Sequence, residues 1–253
     1  MQEVWFYSIL IFVVTWYFNI IPINVVNIFR AIFPFITAEY WFVSAYIMLI
    51  ILIPFLNIVS TQLNYREHVI LLFVLISFDS LSLIKNGTMT DYLASFMIVY
   101  FIGTFLRKYL DKLSSIKNWM LYINVVILWM VEIISMEILF KKGYGIESVR
   151  FTDKLLAFSG ATSIFLIFLR ARKFYSSIVN KMAKTVFAAY LLTDNPFARN
   201  FVWNNIFQTF KFQDYIWVPL YGLLCVAVIM LVTIVIDTAR IKLFKMVKHH
   251  IVN

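Results

Sequence analysis

The sequence predicts an all-α protein, a polytopic membrane helix bundle with about eight transmembrane helices. Three observations predict this fold class. Hydrophobic residues make up 62% of the 253 residues, and the mean hydropathy is +0.86. Charged residues make up 14%, against about 25% in soluble globular proteins. The run Tyr40–Val59 has the roughly 20 apolar residues that a helix needs to cross a bilayer core about 30 Å thick.

The predicted spans follow one another through short polar connections. In chain order they are Val4–Ile21, Trp41–Val59, His68–Ile84, Tyr92–Leu106, Trp119–Phe140, Leu155–Leu169, Thr185–Leu192 and Ile216–Ile236. The seventh run is short as an apolar run. We therefore expect its helix to begin near Val179 and to continue past Thr193.

The placement of basic residues predicts the orientation of the chain. Lys and Arg concentrate in the loops 107–118 and 170–184 and in the C-terminal tail, and fewer lie in the loops of the other side. By the positive-inside rule, the richer side faces the cytoplasm. We therefore expect a multi-pass protein of the cell membrane with both termini in the cytoplasm. In this orientation the basic residues face the anionic headgroups of the lipid bilayer. We therefore do not take the net charge of +9 as a sign of a nucleic-acid partner.

Two longer connections, Pro22–Tyr40 and Asp194–Tyr215, are expected on the external side. Both contain aromatic residues, Asn, Arg and Pro, and neither has the composition of a disordered linker. Non-helical backbone near a membrane is tolerated where protein or a water-filled cavity covers it. We expect ordered turns or interfacial helices in these two segments, framing an outward-facing cavity.

Ionisable residues inside apolar runs are functional candidates by default. Asp79, Glu132 and Glu137 are such residues, and the simpler interpretation is that they bond to Ser, Asn or Tyr on neighbouring helices. Asp237 is expected to pair with Arg240 three residues later on the same helix. The chain has one cysteine and no C-x-x-C pattern, so the sequence predicts no metal site. No Ser-His-Asp arrangement is present, and the catalytic residues are unknown from the sequence.

Three segments together resemble the bacterial integral-membrane acyltransferase 3 family, in particular its members that O-acetylate surface polysaccharides. The first is Phe33–Asn57, with YWFVSAY followed by PFLN. The second is Val99–Tyr109, VYFIGTFLRKY, a Tyr-x-x-Gly stretch that runs into a basic loop. The third is Ala183–Trp203, AKTVFAAYLLTDNPFARNFVW, followed by the closing Ile236–Arg240. Their order and spacing carry the resemblance, which covers nearly the whole chain.

The resemblance implies one membrane acyltransferase-like domain over residues 1–253, the C-terminal greater part of the family fold. It implies acetyl-CoA as the acyl donor, no metal, and as acceptor a surface glycan of capsule or cell wall, or a lipid-linked sugar. The family's first spans carry an Arg and a His-containing motif, and nothing before Pro22 matches them, so another chain is a candidate to supply them. Thr193 stands where the family's late motif has histidine, and threonine does not titrate near neutral pH.

The resemblance also implies candidates for a substrate pocket. They are Tyr40, Trp41, Tyr46, Thr193, Asp194, Asn195 and Arg199. Two plainer interpretations stay open, an aromatic belt at the membrane interface for Tyr40 and Trp41, and a simple ion pair between Asp194 and Arg199.

Three functions stay open at this point. The first is a membrane O-acyltransferase, complete or truncated and inactive. The second is a non-catalytic remnant or partner subunit. The third is a transporter or flippase of a lipid-linked sugar, which only the general polytopic character favours.

Overall fold

The computed structural model describes residues 2–81, 89–143, 146–212 and 214–252, and describes their side chains except at 80–81, 89–90, 146–154 and 247–252. The predicted end of the third span, Ile84, lies outside the described residues. Three basic residues of the loops predicted to be external, Lys85, Arg150 and Lys154, lie outside the part of the chain whose side chains are described. The described chain is helical. Its helices are α1 Gln2–Tyr17, α2 Val25–Ile32, α3 Trp41–Gln62, α4 Tyr65–Leu81, α5 Met89–Leu113, α6 Asn118–Lys141, α7 Ile146–Arg170, α8 Ser177–Thr193 and α9 Val218–Val252.

Four of these helices are long and apolar enough to cross a membrane: α3, α5, α6 and α9. The all-helical class is confirmed, whereas the expected number of about eight spans is not. The helices α1, α4 and α8 have 16 or 17 residues, and at 1.5 Å per residue they reach about 24–26 Å, short of a hydrocarbon core of about 30 Å. The apolar part of α7, Leu155–Arg170, is also shorter than the 18 residues of a candidate span.

The surface of α6 has the character of a lipid-facing helix. None of the residues in its most apolar 18-residue window is buried inside the protein. Trp119, Ile127 and Trp129 are among the large apolar side chains that it exposes. A water-soluble chain rarely exposes so extensive an apolar surface, so this face is suited to a bilayer.

Side-chain caps set where several helices begin. Asn24 Oδ1 accepts the backbone N–H of Asn27 at 2.7 Å at the start of α2. Asn64 and Glu67 form a reciprocal capping box at the start of α4, with bonds of 2.8 and 3.0 Å. Ser176 caps α8 through the N–H of Val179 at 3.3 Å. Since α2 lies within 22–40, that segment is ordered, as expected.

The end of α8 corrects one expectation. The helix begins near Val179 as expected, but it ends at Thr193 and does not continue past it. Pro196 explains this end, because proline disfavours helical backbone at the residue before it, Asn195. Beyond this turn lie a π-helix, Phe201–Ile206, and a short 3-10 helix, Thr209–Lys211, so the second of the two longer connections is ordered as well.

The described chain divides into two compact units. The first comprises Met1–Val43 and Phe174–Asn253, in which α1 packs against α2 and α8, and α8 packs against α9. Arg240 on α9 bonds to Asp237 at 2.6 Å, as the sequence predicted. The same guanidinium lies 3.6 Å from the carboxylate of Glu3 and so ties the start of α1 to α9.

The second unit comprises Ser44–Lys173, in which α6 packs against α7 and α4 packs against α5 and α7. Its apolar core includes Leu106, Leu121 and Leu166. Asn124 on α6 donates to Ser163 on α7 at 2.8 Å, which adds a polar contact between the two helices.

Cationic side chains close the helix ends of the second unit. Lys108 on α5 donates to the carbonyl of Leu63 after α3 at 2.6 Å. Arg170 on α7 donates to the carbonyl of Leu113 at 2.7 Å and to that of Ile116 at 2.6 Å. These carbonyls lie at or just after the C-terminal ends of helices, where no further turn of helix supplies N–H donors, so the cations bond to them. The Leu113 carbonyl also accepts the backbone N–H of Ile116 at 3.1 Å.

Glu137 on α6 does not form the contact that the sequence predicts. Glu137 pairs with Lys141 on its own helix at 2.8 Å, and both side chains are largely exposed. The expectation that Glu137 bonds to a polar residue of a neighbouring helix was therefore wrong. An exposed i,i+4 pair contributes about 0.3–0.5 kcal/mol, so this pair gives no sign of a functional site.

Candidate functional site

Two segments that are far apart in the sequence meet in the first unit through one buried hydrogen bond. Asn195 Nδ2 donates to Tyr40 Oη at 2.7 Å, and Asn195 Oδ1 accepts the backbone N–H of Phe197 at 2.9 Å. Tyr40 and Asn195 are 0% and 1% exposed. A buried polar group that loses its partner costs about 1–3 kcal/mol. These bonds therefore hold the loop after α8 against the residue that precedes α3.

The Tyr40 hydroxyl acts in this site as a neutral group. Burial raises the pKa of the Tyr40 phenol above its ordinary value, and the hydrogen bond from Asn195 opposes only part of that rise. The phenol therefore stays protonated at neutral pH. Because both side chains are fully buried, their role is to position the surrounding backbone rather than to contact a ligand.

Asp194 and Arg199 form the accessible part of the same loop. Arg199 Nη2 donates to Asp194 Oδ1 at 2.7 Å and to the Asp194 carbonyl at 2.9 Å. The side chains of Arg199 and Asp194 are 46% and 24% exposed. The pairing that the sequence left open is therefore present. It uses only one carboxylate oxygen of Asp194 and one nitrogen of Arg199.

The second carboxylate oxygen of Asp194 lies beside a tyrosine hydroxyl. The Asp194 carboxylate is a close electrostatic neighbour of Tyr190 on the last turn of α8. Asp194 Oδ2 and Tyr190 Oη are both buried, and each has the other as a polar neighbour, with the backbone of Phe42 also beside the tyrosine hydroxyl. Buried polar groups pair with one another in this way in nearly all native proteins. These two oxygens therefore hold the end of α8 beside the start of α3, and the accessible polar group of the site is the Asp194–Arg199 pair.

Aromatic rings pack around the ring of Tyr190. The ring centroid of Tyr190 lies 6.1 Å from that of Tyr40, 5.7 Å from Phe42 and 6.2 Å from Phe187. The ring of Trp41 contacts that of Phe42 at 5.9 Å. Binding sites for small molecules combine apolar, aromatic walls with a few placed polar groups, and this arrangement has both parts.

An ion pair between a buried carboxylate and a partly exposed arginine supports the turn before Tyr40. Arg30 on α2 binds the carboxylate of Glu39 through two nitrogens, Nε and Nη2, the second at 2.9 Å. The hydrogen bond to Glu39 raises the pKa of the Arg30 guanidinium. The guanidinium also lies 5.0 Å from the ring centroid of Phe197, so it contacts the loop after α8. Ala38, next to Glu39, has a φ of 53°, a left-handed conformation that costs about 1–2 kcal/mol.

We call eight residues of this site the Tyr40–Arg199 cluster. It consists of Arg30, Glu39, Tyr40, Tyr190, Asp194, Asn195, Phe197 and Arg199. Four sequence-predicted pocket residues lie in it, two as buried positioning groups and two as accessible groups.

The other predicted pocket residues lie elsewhere or take another role. Thr193 Oγ1 donates to the carbonyl of Ala189 at 2.9 Å, so its hydroxyl is bound to its own helix. Tyr46 belongs to the second unit, where its ring lies 6.4 Å from that of Phe96 and its side chain is 48% exposed. Trp41 is half-buried at the start of α3.

Sequence reasoning missed Tyr190, Arg30 and Glu39 as members of the cluster. A signal for the ion pair was present, because Arg30 and Glu39 are opposite charges within one mostly apolar segment, the second directly before Tyr40. For Tyr190, its position four residues before Asp194 on a helix places both on one face.

Metal chemistry finds no support in the described residues, among which no group of three or more His, Cys, Asp or Glu is placed to hold an ion. Two cavities are apolar. One of about 490 Å³ lies in the first unit between α1 and Phe244, and one of about 430 Å³ lies in the second unit among α4, α5, α6 and α7. Their apolar walls are suited to lipid acyl chains. The polar groups that could bind a polar ligand lie instead in the Tyr40–Arg199 cluster.

Comparison with known proteins adds no relative. No family model, no curated protein and no solved structure matches this chain.

Proposed function

We propose that this chain is a multi-pass protein of the bacterial cell membrane that takes part in O-acylation of a surface glycan. It resembles the acyltransferase 3 family, and the acyl donor is acetyl-CoA by that resemblance. The acceptor, a surface glycan or its lipid-linked precursor, binds at the Tyr40–Arg199 cluster on the external side. Both termini lie in the cytoplasm, on the side that is richer in Lys and Arg.

The observation that carries the proposal is the accessible Asp194–Arg199 ion pair, which lies beside the aromatic ring of Tyr190 and its neighbour Phe42. A sugar offers hydroxyl groups that donate and accept hydrogen bonds, and apolar faces that pack on rings. The accessible part of the Asp194 carboxylate accepts from one sugar hydroxyl, while the N–H groups of Arg199 donate to a sugar oxygen. Two of the three segments that carry the resemblance, Phe33–Asn57 and Ala183–Trp203, also meet at this cluster.

The chemistry of the transfer defines what the cluster contributes. The oxygen of the sugar hydroxyl forms a bond to the acyl carbonyl carbon, the bond to the thiol sulfur breaks, and the hydroxyl proton passes to a base and on to the leaving thiolate. Asp194 is bound by Arg199 and accepts hydrogen bonds, so its role is to hold the acceptor hydroxyl in place. Effective positioning of this kind contributes a large share of catalysis.

A second candidate, a partner subunit that binds the acceptor while another chain supplies the base, has one observation in its favour. The Thr193 hydroxyl, at the position of the family's histidine, donates to the backbone of its own helix and cannot act as a base there.

The ester content of the surface glycan tests the proposal. Deleting the gene should lower the base-labile acetate released from the glycan, and the wild-type gene should restore it. Asp194→Ala should not restore it, whereas Asn205→Ala, an exposed residue of the same external segment, should. Unchanged acetate on deletion would overturn the proposal.

Transfer by the purified chain separates the two candidates. Acetyl transfer to a glycan in liposomes containing only this chain assigns catalysis to it. Loss of esters in the deletion strain without transfer in liposomes assigns the role of a partner subunit.

A further inference from the structure

We infer that the acceptor at the Tyr40–Arg199 cluster is an anionic saccharide, one that carries a carboxylate or a phosphate. This inference rests on the proposed function and names the substrate class of its site. The feature that carries it is a pair of guanidinium groups that share one loop: Arg199 belongs to the loop after α8, and Arg30 stacks on Phe197 of that loop.

Each guanidinium is anchored from one side by a carboxylate that is less exposed than itself. The side chain of Arg30 is 36% exposed and that of its partner Glu39 is 3% exposed. The side chain of Arg199 is 46% exposed and that of its partner Asp194 is 24% exposed. The positive ends of both pairs are therefore the accessible ends. An approaching ligand meets donors and positive charge before it meets the carboxylates.

Both guanidinium groups keep donors for a ligand. A guanidinium has five N–H donors. Arg199 uses Nη2 for its bonds to Asp194, and its Nε and Nη1 make no hydrogen bond in the described part of the chain. Arg30 uses Nε and Nη2 for Glu39, and its Nη1 makes none among the described residues. These N–H groups point to an acceptor with two anionic oxygens side by side, which a carboxylate or a phosphate provides and a neutral sugar ring does not.

Contacts also restrict the side-chain conformations of both arginines. The ring of Phe197 flanks Arg30, and Arg199 binds both the side chain and the backbone of Asp194. A charged side chain that is already ordered loses little conformational entropy when it binds. The accessible part of the Asp194 carboxylate then accepts a hydrogen bond from a hydroxyl group of the same saccharide.

Affinity for defined saccharides tests this inference with the full chain in lipid nanodiscs. The probes are trigalacturonate, a glycerol phosphate trimer and maltotriose, which present carboxylates, phosphates and neither. We expect at least one anionic probe to bind about tenfold more tightly than maltotriose, which corresponds to one charge-assisted hydrogen bond. Which anionic probe binds more tightly identifies the acid group. The preference should weaken as the salt concentration rises.

Variants assign the preference to the cluster. Arg199→Gln should lower the affinity for the anionic probe about tenfold, and Arg199→Lys, which keeps the charge but loses the planar fork, should lower it less. Lys211→Gln is the matched control, because it removes an exposed cation of the same external segment that lies outside the cluster. It should change the affinity by less than about twofold, since a rim charge contributes little to affinity.

Three outcomes would overturn the inference. Equal affinity for maltotriose and the anionic probes would remove the anionic acceptor and leave the proposed function standing. A second outcome is that the preference for anionic probes stays unchanged in Arg199→Gln, or that it depends only on the content of anionic lipid in the nanodisc. Either result would assign these arginines to lipid phosphate instead. Absence of binding to every saccharide would overturn the inference and the proposed acceptor site together.

Discussion

Removing the buried hydrogen bonds of Asn195 should destabilise the first unit by an amount that the geometry sets. Asn195→Ala deprives Tyr40 Oη of its donor and the Phe197 N–H of its acceptor. Each buried group left without a partner costs about 1–3 kcal/mol, so the substitution should cost about 2–6 kcal/mol of the free energy of unfolding. Tyr40→Phe leaves only Asn195 Nδ2 unpaired and should cost about 1–3 kcal/mol.

The double mutant separates the shared bond from the other effects. Tyr40→Phe with Asn195→Ala should cost less than the sum of the single substitutions, by about 0.5–3 kcal/mol, because both remove the same bond. Thermal unfolding of the detergent-solubilised or nanodisc-embedded protein measures this. A change of 1 kcal/mol corresponds to about 2–4 °C in a chain of this size. Tyr175→Phe, at a side chain that is 84% exposed, is the control and should shift the midpoint by less than that.

Strict additivity would refute this reasoning. If Tyr40→Phe and Asn195→Ala act independently, the two side chains do not share an energetically significant bond, and the two segments are held together by something else. A midpoint unchanged by Asn195→Ala would contradict the burial of the pair.

Two further predictions concern the ion pair and the topology. Arg30→Met should lower the free energy of unfolding by about 3–5 kcal/mol, because it leaves the buried Glu39 carboxylate unpaired. Arg30→Met combined with Glu39→Leu should lower it much less, since no unpaired charge remains. Equal midpoints of thermal unfolding for the two variants would contradict this. In a Cys225→Ala background the chain has no other cysteine, so Phe210→Cys should react with a membrane-impermeant maleimide in intact cells, and Lys117→Cys only after permeabilisation. The opposite labelling pattern would invert the predicted orientation.

Helices were predictable from the sequence where continuous apolar sequence sets them. The predicted span Trp119–Phe140 agrees with α6 to within one residue at each end. The predicted end of the last span at Ile236 was too early, since α9 continues to Val252 through basic residues that form good helix. An apolar run therefore predicts where the hydrophobic part of a helix ends. It does not predict where the helix itself ends.

The number of spans was harder to predict, because span length depends on capping as well as on hydropathy. Apolar sequence extends from Val4 to Ile21, but α1 ends at Tyr17, and Asn19 takes a left-handed conformation with a φ of 56°. The composition of the run carries no signal for that turn beyond the asparagine itself, which tolerates this conformation better than most residues.

The candidate site was predictable in its residues and not in its contacts. The resemblance pointed to Tyr40 and Asn195, but their hydrogen bond joins positions 155 residues apart. No local pattern in a single sequence specifies such a pairing. The roles of the two residues also depend on burial, which makes them positioning groups while Asp194 and Arg199 remain accessible.

Photo-crosslinking in native membranes tests the central claim, that the Tyr40–Arg199 cluster holds a sugar. Cells would incorporate a diazirine-bearing sugar into their surface glycan and its lipid-linked precursors. After irradiation, mass spectrometry would locate the crosslinked peptides of this chain. The account predicts crosslinks within residues 187–199, reduced by Asp194→Ala and retained in Asn205→Ala. Crosslinks confined to the exposed face of α6, or crosslinks that Asp194→Ala leaves unchanged, would contradict it.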